Sequence, residues 1–445
     1  MAEIAIVVLE RNRRRYLEMV LSALCRQDIP LSRFRVIVVD NGSSEPLLPV
    51  VESFGSKLEI GCIRIDKAIS RAAARNRGLA EVVESNVLLL DGDTLPDGDL
   101  VRRHLSVLAD EGVVASLGAR REHRPGTLHT QPLPPGASLT SFAALHDCAQ
   151  QDLRIPAIEQ RVIRENFDRI CYFFFYTHNV AIRRSTVIAS GGFNEDLTGW
   201  GLEDLEFGFR VREQLASGES IRWSPQAGSA HIPHLRDFGA NLSELVTNQV
   251  TLLRHYKSFH WEGHRTASPD LECVRIIMAE RLAEVFAKRA VVGREMPEVE
   301  RWAGVEAGNS LLLGVGTMSG WHGIPAACRS SLADWRDRSV SSFCGTQFLA
   351  GDGSLCNVVN VDVWRALPWH HVSEMLAEAM RVSESAIFVS SLSYDKDLAG
   401  IDRDSGSGPR FVEDADFLAN ALSDFGLDFD VFRCADAAAV RVWSR

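Results

Sequence analysis

Short apolar runs alternate with polar breaks along the first part of the chain. A further short strand is predicted near 60–65, and three runs rich in Val, Ile and Leu occupy residues 4–9, 34–39 and 86–90. Such continuous runs are typical of strands that are buried on both faces of a parallel sheet. Apolar residues recur at helical spacing in 16–24, and a stretch rich in Ala and Arg predicts a further helix from Ser70. The order of these elements predicts a doubly wound, mainly parallel α/β sheet.

The pattern in the middle of the chain is less regular. Residues 122–156 are rich in proline and polar residues, which indicates a long surface loop. The aromatic run at 172–176 predicts a core strand. The segment 200–207 predicts the start of a helix that runs to about residue 215.

A change of pattern indicates two domains. The first is expected to cover 1–262 and to be followed by a helical linker at 263–304. In the remainder, 305–445, strands are predicted at 311–316, 356–361, 386–390 and 439–443, with a helix at 372–382. This alternation indicates a second, smaller α/β domain, which carries a flexible loop at 402–409.

Composition and charge narrow the class of protein. The chain has 445 residues, a formal charge of −11 and a charged fraction of 24%. A negative balance argues against general nucleic-acid binding, which needs a basic surface. No apolar run approaches the roughly 18 residues of a membrane helix, and the first residues lack the basic lead of a signal peptide. The nine cysteines contain no CxxC pair, so we expect reduced thiols and a cytoplasmic location. From the absence of a long apolar run we expect no integral membrane segment.

The candidate chemistry begins at Asp91-Gly92-Asp93, directly after the apolar run 86–90. Ligands of open α/β sheets bind beyond the carboxyl ends of the strands. Two carboxylates at such a place suit Mg²⁺ or Mn²⁺, which can bridge to a diphosphate. The same three residues are also ordinary turn formers, so this motif alone leaves both interpretations open.

Several blocks in order resemble the family 2 glycosyltransferases of GT-A fold. They are IVVLERNR at 6–13, VVDNGS at 38–43, ARNRGL at 74–79, DGD at 91–93, GFNE at 192–195 and GWGLED at 199–204. The last two are similar to a block of chondroitin-polymerase-like enzymes and β-1,4-galactosyltransferases. The resemblance implies a GT-A nucleotide-diphospho-sugar transferase fold for 1–262 and an inverting, metal-dependent transfer of a sugar from a nucleoside diphosphate, UDP being expected.

The resemblance also implies a donor site. Its expected residues are Leu9, Glu10, Asn12, Asp40, Arg75, Asp91 and Gly92. Asp40 matches a residue that commonly hydrogen-bonds the uracil ring, whereas Glu10 departs from the usual Thr or Pro. For Arg75, contact with phosphates or carboxylates and a solvated position on a helix both remain open.

Mn²⁺ or Mg²⁺ is the cofactor that the resemblance implies. Asp93 is expected to hold it, with help from Asp91 and from a histidine, for which His231 is favoured over His234. A bound cation would offset the charge of the departing diphosphate. The alternative for either histidine is an ordinary surface position.

On the acceptor side, the resemblance implies that Asp204 is the catalytic base and that Glu203 orients the acceptor or its loop. Carboxylates in a first helical turn also favour the helix dipole, so capping is the alternative for both. We expect Trp200, Gly201, His178 and Asn179 to contact the sugar or acceptor.

Parts of the second domain, at 311–320 and 369–382, are faintly similar to class I methyltransferases. Because Gly314-Val315-Gly316-Thr317 keeps only part of a glycine-rich cofactor loop, we expect a degenerate domain that does not bind S-adenosylmethionine. Acceptor binding or formation of a homodimer is its expected role.

Two other functions remain open from the sequence. One is a non-catalytic scaffold that binds a sugar nucleotide, and the other is a nucleotidyltransferase. The acceptor of a glycosyltransferase could be a small molecule, a peptide or a glycan, and no motif distinguishes among them.

Overall fold

Two sheets organise the chain, one in Met1–Asn248 and one in Gln249–Arg445. The computed structural model describes residues 2–122, 151–232, 234, 238–263, 269–288, 296–305, 309–316, 321, 323–392 and 414–443. Most of the loop predicted at 122–156 and all of the loop predicted at 402–409 lie outside the described residues.

The first unit contains an eight-stranded sheet in the order β3-β2-β1-β4-β7-β6-β8-β5. Its strands are β1 (Ile4–Glu10), β2 (Phe34–Asn41), β3 (Ile60–Ile65), β4 (Asn86–Asp91), β5 (Thr94–Pro96), β6 (Val113–Glu122), β7 (Asn179–Arg183) and β8 (Ser220–His231). The neighbours from β3 to β4 are parallel, whereas β7 runs antiparallel to both β4 and β6. The predicted doubly wound α/β sheet is therefore confirmed, and the carboxyl ends of β1, β2 and β4 meet at one edge.

Helices accompany this sheet along the chain. They are α1 (Arg14–Leu24), α2 (Leu48–Phe54), α3 (Arg71–Ala80), α4 (Leu100–Leu108), α5 (Ile155–Glu159), α6 (Arg161–Glu165), α7 (Phe167–Ile170), α8 (Arg184–Ser190), α9 (Glu203–Glu213) and α10 (Phe238–Tyr256). Apolar residues of α1, α2 and α4 form one buried cluster with β1, β2 and β4. This continuous burial on the strands explains why their sequences are almost uniformly apolar.

The aromatic run is not a strand, contrary to the prediction. Cys171–Phe174 forms a 3-10 helix whose side chains are buried. Tyr172 packs edge-on against Phe209 of α9, with ring centroids 5.1 Å apart. A Cβ on Gly208 would lie 2.5 Å from Cβ of Phe175, so only glycine allows this close approach. The run therefore packs against α9, which carries the acidic pair.

The second unit contains a six-stranded sheet in the order β10-β9-β11-β12-β14-β13. Its elements are β9 (Ser310–Gly314), β10 (Arg329–Ser331), β11 (Leu355–Val361), β12 (Ser383–Ser391), β13 (Phe429–Arg433) and β14 (Ala437–Trp443), with α11 (Pro269–Lys288), α12 (Pro297–Ala303), α13 (Trp369–Val382) and α14 (Ala415–Asp424). β14 is antiparallel to both of its neighbours. The predicted second, smaller α/β domain is confirmed.

The boundary between the units differs from the predicted one. Helix α11, predicted as part of a separate linker, belongs to the second unit. Its buried Arg275 donates to the carbonyls of Phe259 and Glu262 at 2.8 Å each. The carboxylate of Glu262 in turn accepts the backbone N–H groups of 344–346 at 2.7 to 2.9 Å. Among the described residues, no helix has both the length and the apolar character needed to cross a bilayer.

A buried polar network joins β6, β7 and β8. The amide Nδ2 of Asn179 donates to the carbonyls of Ala119 and Ala227 at 3.1 and 2.9 Å. Its Oδ1 lies 2.8 Å from Nε2 of His104, whose pKa burial lowers to about 4. Since Asn179 has no exposed surface and both ends of its amide are engaged, it holds strands together rather than facing a sugar.

We expect Asn179→Ala to lower the free energy of unfolding by about 2 kcal/mol, because buried carbonyls lose their donor. Urea unfolding measures this change. The control is Asn86→Ala, which removes one hydrogen bond to the carbonyl of Glu3 at the start of β4. Loss of sugar binding with unchanged stability would instead support the contact expected from the sequence.

Candidate functional site

The turn after β4 places Asp93 inside the protein. The N–H of Gly92 donates to the carbonyl of Leu9 at 3.0 Å, which extends the pairing of β1 with β4 into the turn. A Cβ on Gly92 would lie 2.2 Å from Oε2 of Glu10, so a larger residue would displace that carboxylate. Glycine at this position therefore lets the buried Glu10 and Asp93 lie in neighbouring loops.

Strand register brings His231 to Asp93. The Cα partner of His231 is Thr94 on β5 and Glu122 on β6. Its Nδ1 lies 2.8 Å from Oε2 of Glu122, and its Nε2 lies 3.7 Å from Oδ2 of Asp93. Nε2 of His234 lies 3.0 Å from the same Asp93 oxygen. The pairing of three strands thus collects residues that are distant in sequence.

These side chains fit a divalent cation. One ligand atom from each of Asp93, His231 and His234 can be chosen so that all three lie within 4.8 Å of one another. Oδ1 of Asp93 is buried without a hydrogen-bond partner, which is an unfavourable state that a cation would relieve. Glu122 engages Nδ1 of His231 and thereby leaves Nε2 towards the cluster, as second-sphere carboxylates do for metal-binding histidines. Carboxylate and imidazole ligands together suit Mn²⁺ among other ions.

The charge of Glu122 is set by its neighbours. Burial would raise the pKa of this carboxyl, but the hydrogen bond with His231 and the charge of Arg120 lower it to about 2. Glu122 is therefore an anion at neutral pH. Its charge favours a fixed orientation of the His231 ring.

Arg75 connects the turn after β4 with the start of α9. Its guanidinium is buried, with Nη2 3.1 Å from Oδ1 of Asp91 and Nη1 2.9 Å from Oε1 of Glu203. This fork uses the planar geometry that distinguishes arginine from lysine. The solvated position that the sequence left open for Arg75 is excluded by its burial. Asp91 is engaged by Arg75 and is not part of the Asp93 cluster.

Asn76, the residue after Arg75, binds the block at 192–195 through two hydrogen bonds. Nδ2 of Asn76 donates to the carbonyl of Phe193 at 2.9 Å, and its Oδ1 accepts from the N–H of Phe193 at 2.8 Å. A Cβ on Gly192 would lie 2.7 Å from Oδ1 of Asn76. The blocks at 74–79 and 192–195 are therefore hydrogen-bonded to each other.

The acidic pair opens α9 after two residues of left-handed backbone, Gly201 at φ +90° and Leu202 at φ +71°. Glu203 is buried and bound by Arg75, whereas Asp204 is half-buried and accepts from the N–H of Leu205 at 2.9 Å. Burial and the adjacent Glu203 raise the pKa of Asp204 to about 7. A carboxyl with a pKa near the working pH is suited to general-base catalysis.

The loop after β1, with Asn12, and the loop after β2, with Ser43 and Ser44, are hydrogen-bonded to each other and form one rim. The N–H of Asn12 donates to Oγ of Ser43 at 2.9 Å, and its Oδ1 accepts from the N–H of Ser44 at 2.7 Å. The carboxylate of Asp40 is fully buried and accepts from Ser43 and Leu47 N–H groups and from Arg64. Asp40 therefore shapes this rim, and its direct contact with a base stays a prediction.

The remaining expected residues lie in different surroundings. Trp200 is half-buried, and its backbone N–H donates to Oε2 of Glu244 at 2.7 Å. His178 is buried, with Nδ1 lacking a partner, and burial together with Arg120 and Arg154 holds its pKa well below the usual range. His178 is therefore a neutral imidazole.

Three residues of the site were not expected from the sequence. Arg13 contacts Asp93, Glu122 contacts His231, and Asn76 contacts Phe193. For Asn76 a signal existed, because it lies in the recognised block at 74–79. Glu122 had none, since it ends a strand where a loop was predicted.

We expect Arg75→Met to lower the free energy of unfolding by about 3 kcal/mol, because Glu203 then stays buried without its cation. Urea unfolding measures the loss. Arg75→Met combined with Glu203→Leu should recover part of it, since the uncompensated charge is gone. The exposed Arg77→Met on the same helix is the matched control, and equal losses in both single variants would contradict this account.

Comparison with known proteins finds similarity to glycosyltransferases. The model described as glycosyl transferase family 2 matches residues 5–185. A validoxylamine A glucosyltransferase of Streptomyces hygroscopicus subsp. jinggangensis is 28% identical over 264 residues, which are 57% of this chain and 61% of the relative. The hyaluronan synthase of Pasteurella multocida is 30% identical over 222 residues, 47% of this chain and 22% of that protein. The chain thus spans 61% or less of the length of these two relatives.

Among solved structures, residues 1–349 of TarS of Staphylococcus aureus in complex with UDP-GlcNAc align with 68% of this chain and 79% of that chain, at 15% identity and a TM-score of 0.43. A TM-score of this size does not establish equivalent positions. The family match covers β1 to β7, and with the sheet order it confirms the predicted GT-A class. Through residues 5–185, the chain is similar to glycosyl transferase family 2.

Proposed function

We propose that this protein is a metal-dependent, inverting glycosyltransferase that moves a sugar from a nucleoside diphosphate to an acceptor hydroxyl. One observation carries the proposal. The guanidinium of Arg75 joins Asp91, two residues from Asp93, to Glu203, the neighbour of Asp204. A cation site and a candidate base therefore belong to one connected cluster.

On the donor side, Asp93, His231 and His234 would hold the cation, which when bound offsets the negative charge of the diphosphate. The rim formed by Asn12 and the loop after β2 is the proposed place of the nucleotide base. The resemblance to UDP-dependent enzymes favours a uracil base there.

On the acceptor side, Asp204 takes the proton of the attacking hydroxyl. Burial and the adjacent Glu203 keep the pKa of Asp204 high enough for this transfer. Trp200 offers a flat apolar face of the kind that sugars stack against. One base acting in a single displacement inverts the anomeric carbon, and an NMR spectrum showing retained configuration would contradict this part.

The acceptor is proposed to be a small molecule or a glycan. The names of the relatives support both, because one is a validoxylamine A glucosyltransferase and another a hyaluronan synthase. The second unit is proposed to bind the acceptor or to mediate a homodimer, without S-adenosylmethionine.

We expect Asp204→Asn to abolish sugar transfer while leaving nucleotide binding within about twofold, because only the proton acceptor is lost. A panel of UDP- and GDP-sugars with Mn²⁺, followed by release of nucleoside diphosphate, measures transfer. Calorimetry with UDP measures binding. Release of pyrophosphate from a nucleoside triphosphate would instead identify a nucleotidyltransferase.

The stability of Asp204→Asn shows separately whether this variant folds. Because the pKa of Asp204 lies above its ordinary value of 3.8, its ionisation weakens the folded state as the pH rises from about 4 through about 7. Asp204→Asn should therefore be at least as stable as the wild type at pH 8. An active Asp204→Asn enzyme would remove this residue from its proposed role.

The pH dependence of kcat/KM should show an acid limb near pH 7. Below that value Asp204 becomes protonated, so the rate should fall about tenfold for each further pH unit. Burial also raises the pKa of Glu10 to about 7, so Glu10→Gln is the necessary control. The limb should persist in that variant, and its disappearance there would assign it to Glu10.

A further inference from the structure

Arg13 holds the oxygen of Asp93 that faces the histidines. Its Nη1 donates to Oδ2 of Asp93 at 2.6 Å, and its Nε donates to Oε1 of Glu10 at 2.9 Å. The side chain of Arg13 is 32% exposed, whereas those of Glu10 and Asp93 are 0% and 8% exposed. The guanidinium therefore bridges two buried carboxylates while part of it stays in contact with solvent.

The same carboxylate is needed by the proposed cation. Oδ2 of Asp93 lies 3.0 Å from Nε2 of His234 and 3.7 Å from Nε2 of His231. A cation among these ligands would lie beside the guanidinium of Arg13, and the two positive groups would repel each other. Arg13 and the cation therefore compete for Asp93.

We propose that Arg13 is an internal counter-ion that holds Asp93 until a nucleoside diphosphate takes it over. Guanidinium groups pair strongly with phosphate oxygens, and Arg13 is accessible from solvent. When Arg13 leaves Asp93 for a diphosphate oxygen, Asp93 becomes free to bind the cation. Binding of nucleotide and of metal is thereby coupled, so each raises the affinity for the other. This inference rests on the proposed function, because it requires both ligands.

The position of Arg13 supports such a movement. It is the N-cap of α1, where its carbonyl accepts the N–H groups of Tyr16 and Leu17 while its side chain makes no capping hydrogen bond, so the side chain can move without unwinding α1. Glu10 lies three residues earlier and holds Nε, while Nη1 alone contacts Asp93. Glu10 therefore keeps the guanidinium close to the site as it changes partners.

Binding of Mn²⁺ to the purified chain, followed by loss of the free-ion EPR signal, tests the proposal without any acceptor. We expect Arg13→Gln to bind Mn²⁺ alone about tenfold more tightly than the wild type, since one charge-assisted competing bond is gone. UDP or GDP should raise the Mn²⁺ affinity of the wild type by a similar factor, and that of Arg13→Gln much less. The matched control is Arg14→Gln, which removes the same charge from an exposed residue paired with Glu18. Its affinity should equal that of the wild type.

Each contrary outcome has a separate meaning. Equal Mn²⁺ affinities of the wild type and Arg13→Gln, or an equal gain in Arg14→Gln, would overturn the role of Arg13 and leave the metal site standing. An Mn²⁺ affinity of the wild type that neither UDP nor GDP changes would overturn the coupling. Absence of Mn²⁺ binding in every protein would overturn the proposed metal site and this inference together. Arg13→Met provides the same test if Arg13→Gln does not fold, which thermal unfolding shows.

Discussion

The buried guanidinium of Arg75 is the interaction on which the candidate site depends. It lies between carboxylates from two distant parts of the chain, Asp91 after β4 and Glu203 at the start of α9. A buried carboxylate is strongly unfavourable without a partner, so this fork compensates charges that neither element could bury alone. The same contact ties the turn that carries Asp93 to the start of α9, which carries the candidate base.

Sheet register supplies the other half of the arrangement. Because His231 is paired with Thr94 on one side and Glu122 on the other, a change of one residue in either pairing would turn the imidazole to the opposite face. The network around Asn179 ties the same three-strand region together. Polar residues inside this unit therefore have two roles. Some maintain the strand register, and others form the site that the register creates.

Most carboxylates of the site are paired with an arginine. Arg13 offsets Glu10 and Asp93, and Arg75 offsets Asp91 and Glu203. Asp204 accepts a hydrogen bond from the N–H of Leu205, and burial with the adjacent Glu203 raises its pKa to about 7. Asp91 and Glu203 position Arg75, whereas Asp204 is the carboxyl that we propose to accept a proton.

The sequence by itself determined the class of fold, because continuous apolar runs and their order along the chain specify a doubly wound sheet. It also determined which blocks form the site, since their residue types match those of a known family. Only the tertiary structure decided which side chains contact one another. The 3-10 conformation of Cys171–Phe174, the burial of Asn179 and the contacts of Arg13 and Glu122 depend on side chains from distant segments. Local patterns record whether a residue is apolar or charged, whereas its role depends on which charge or ring the fold places beside it.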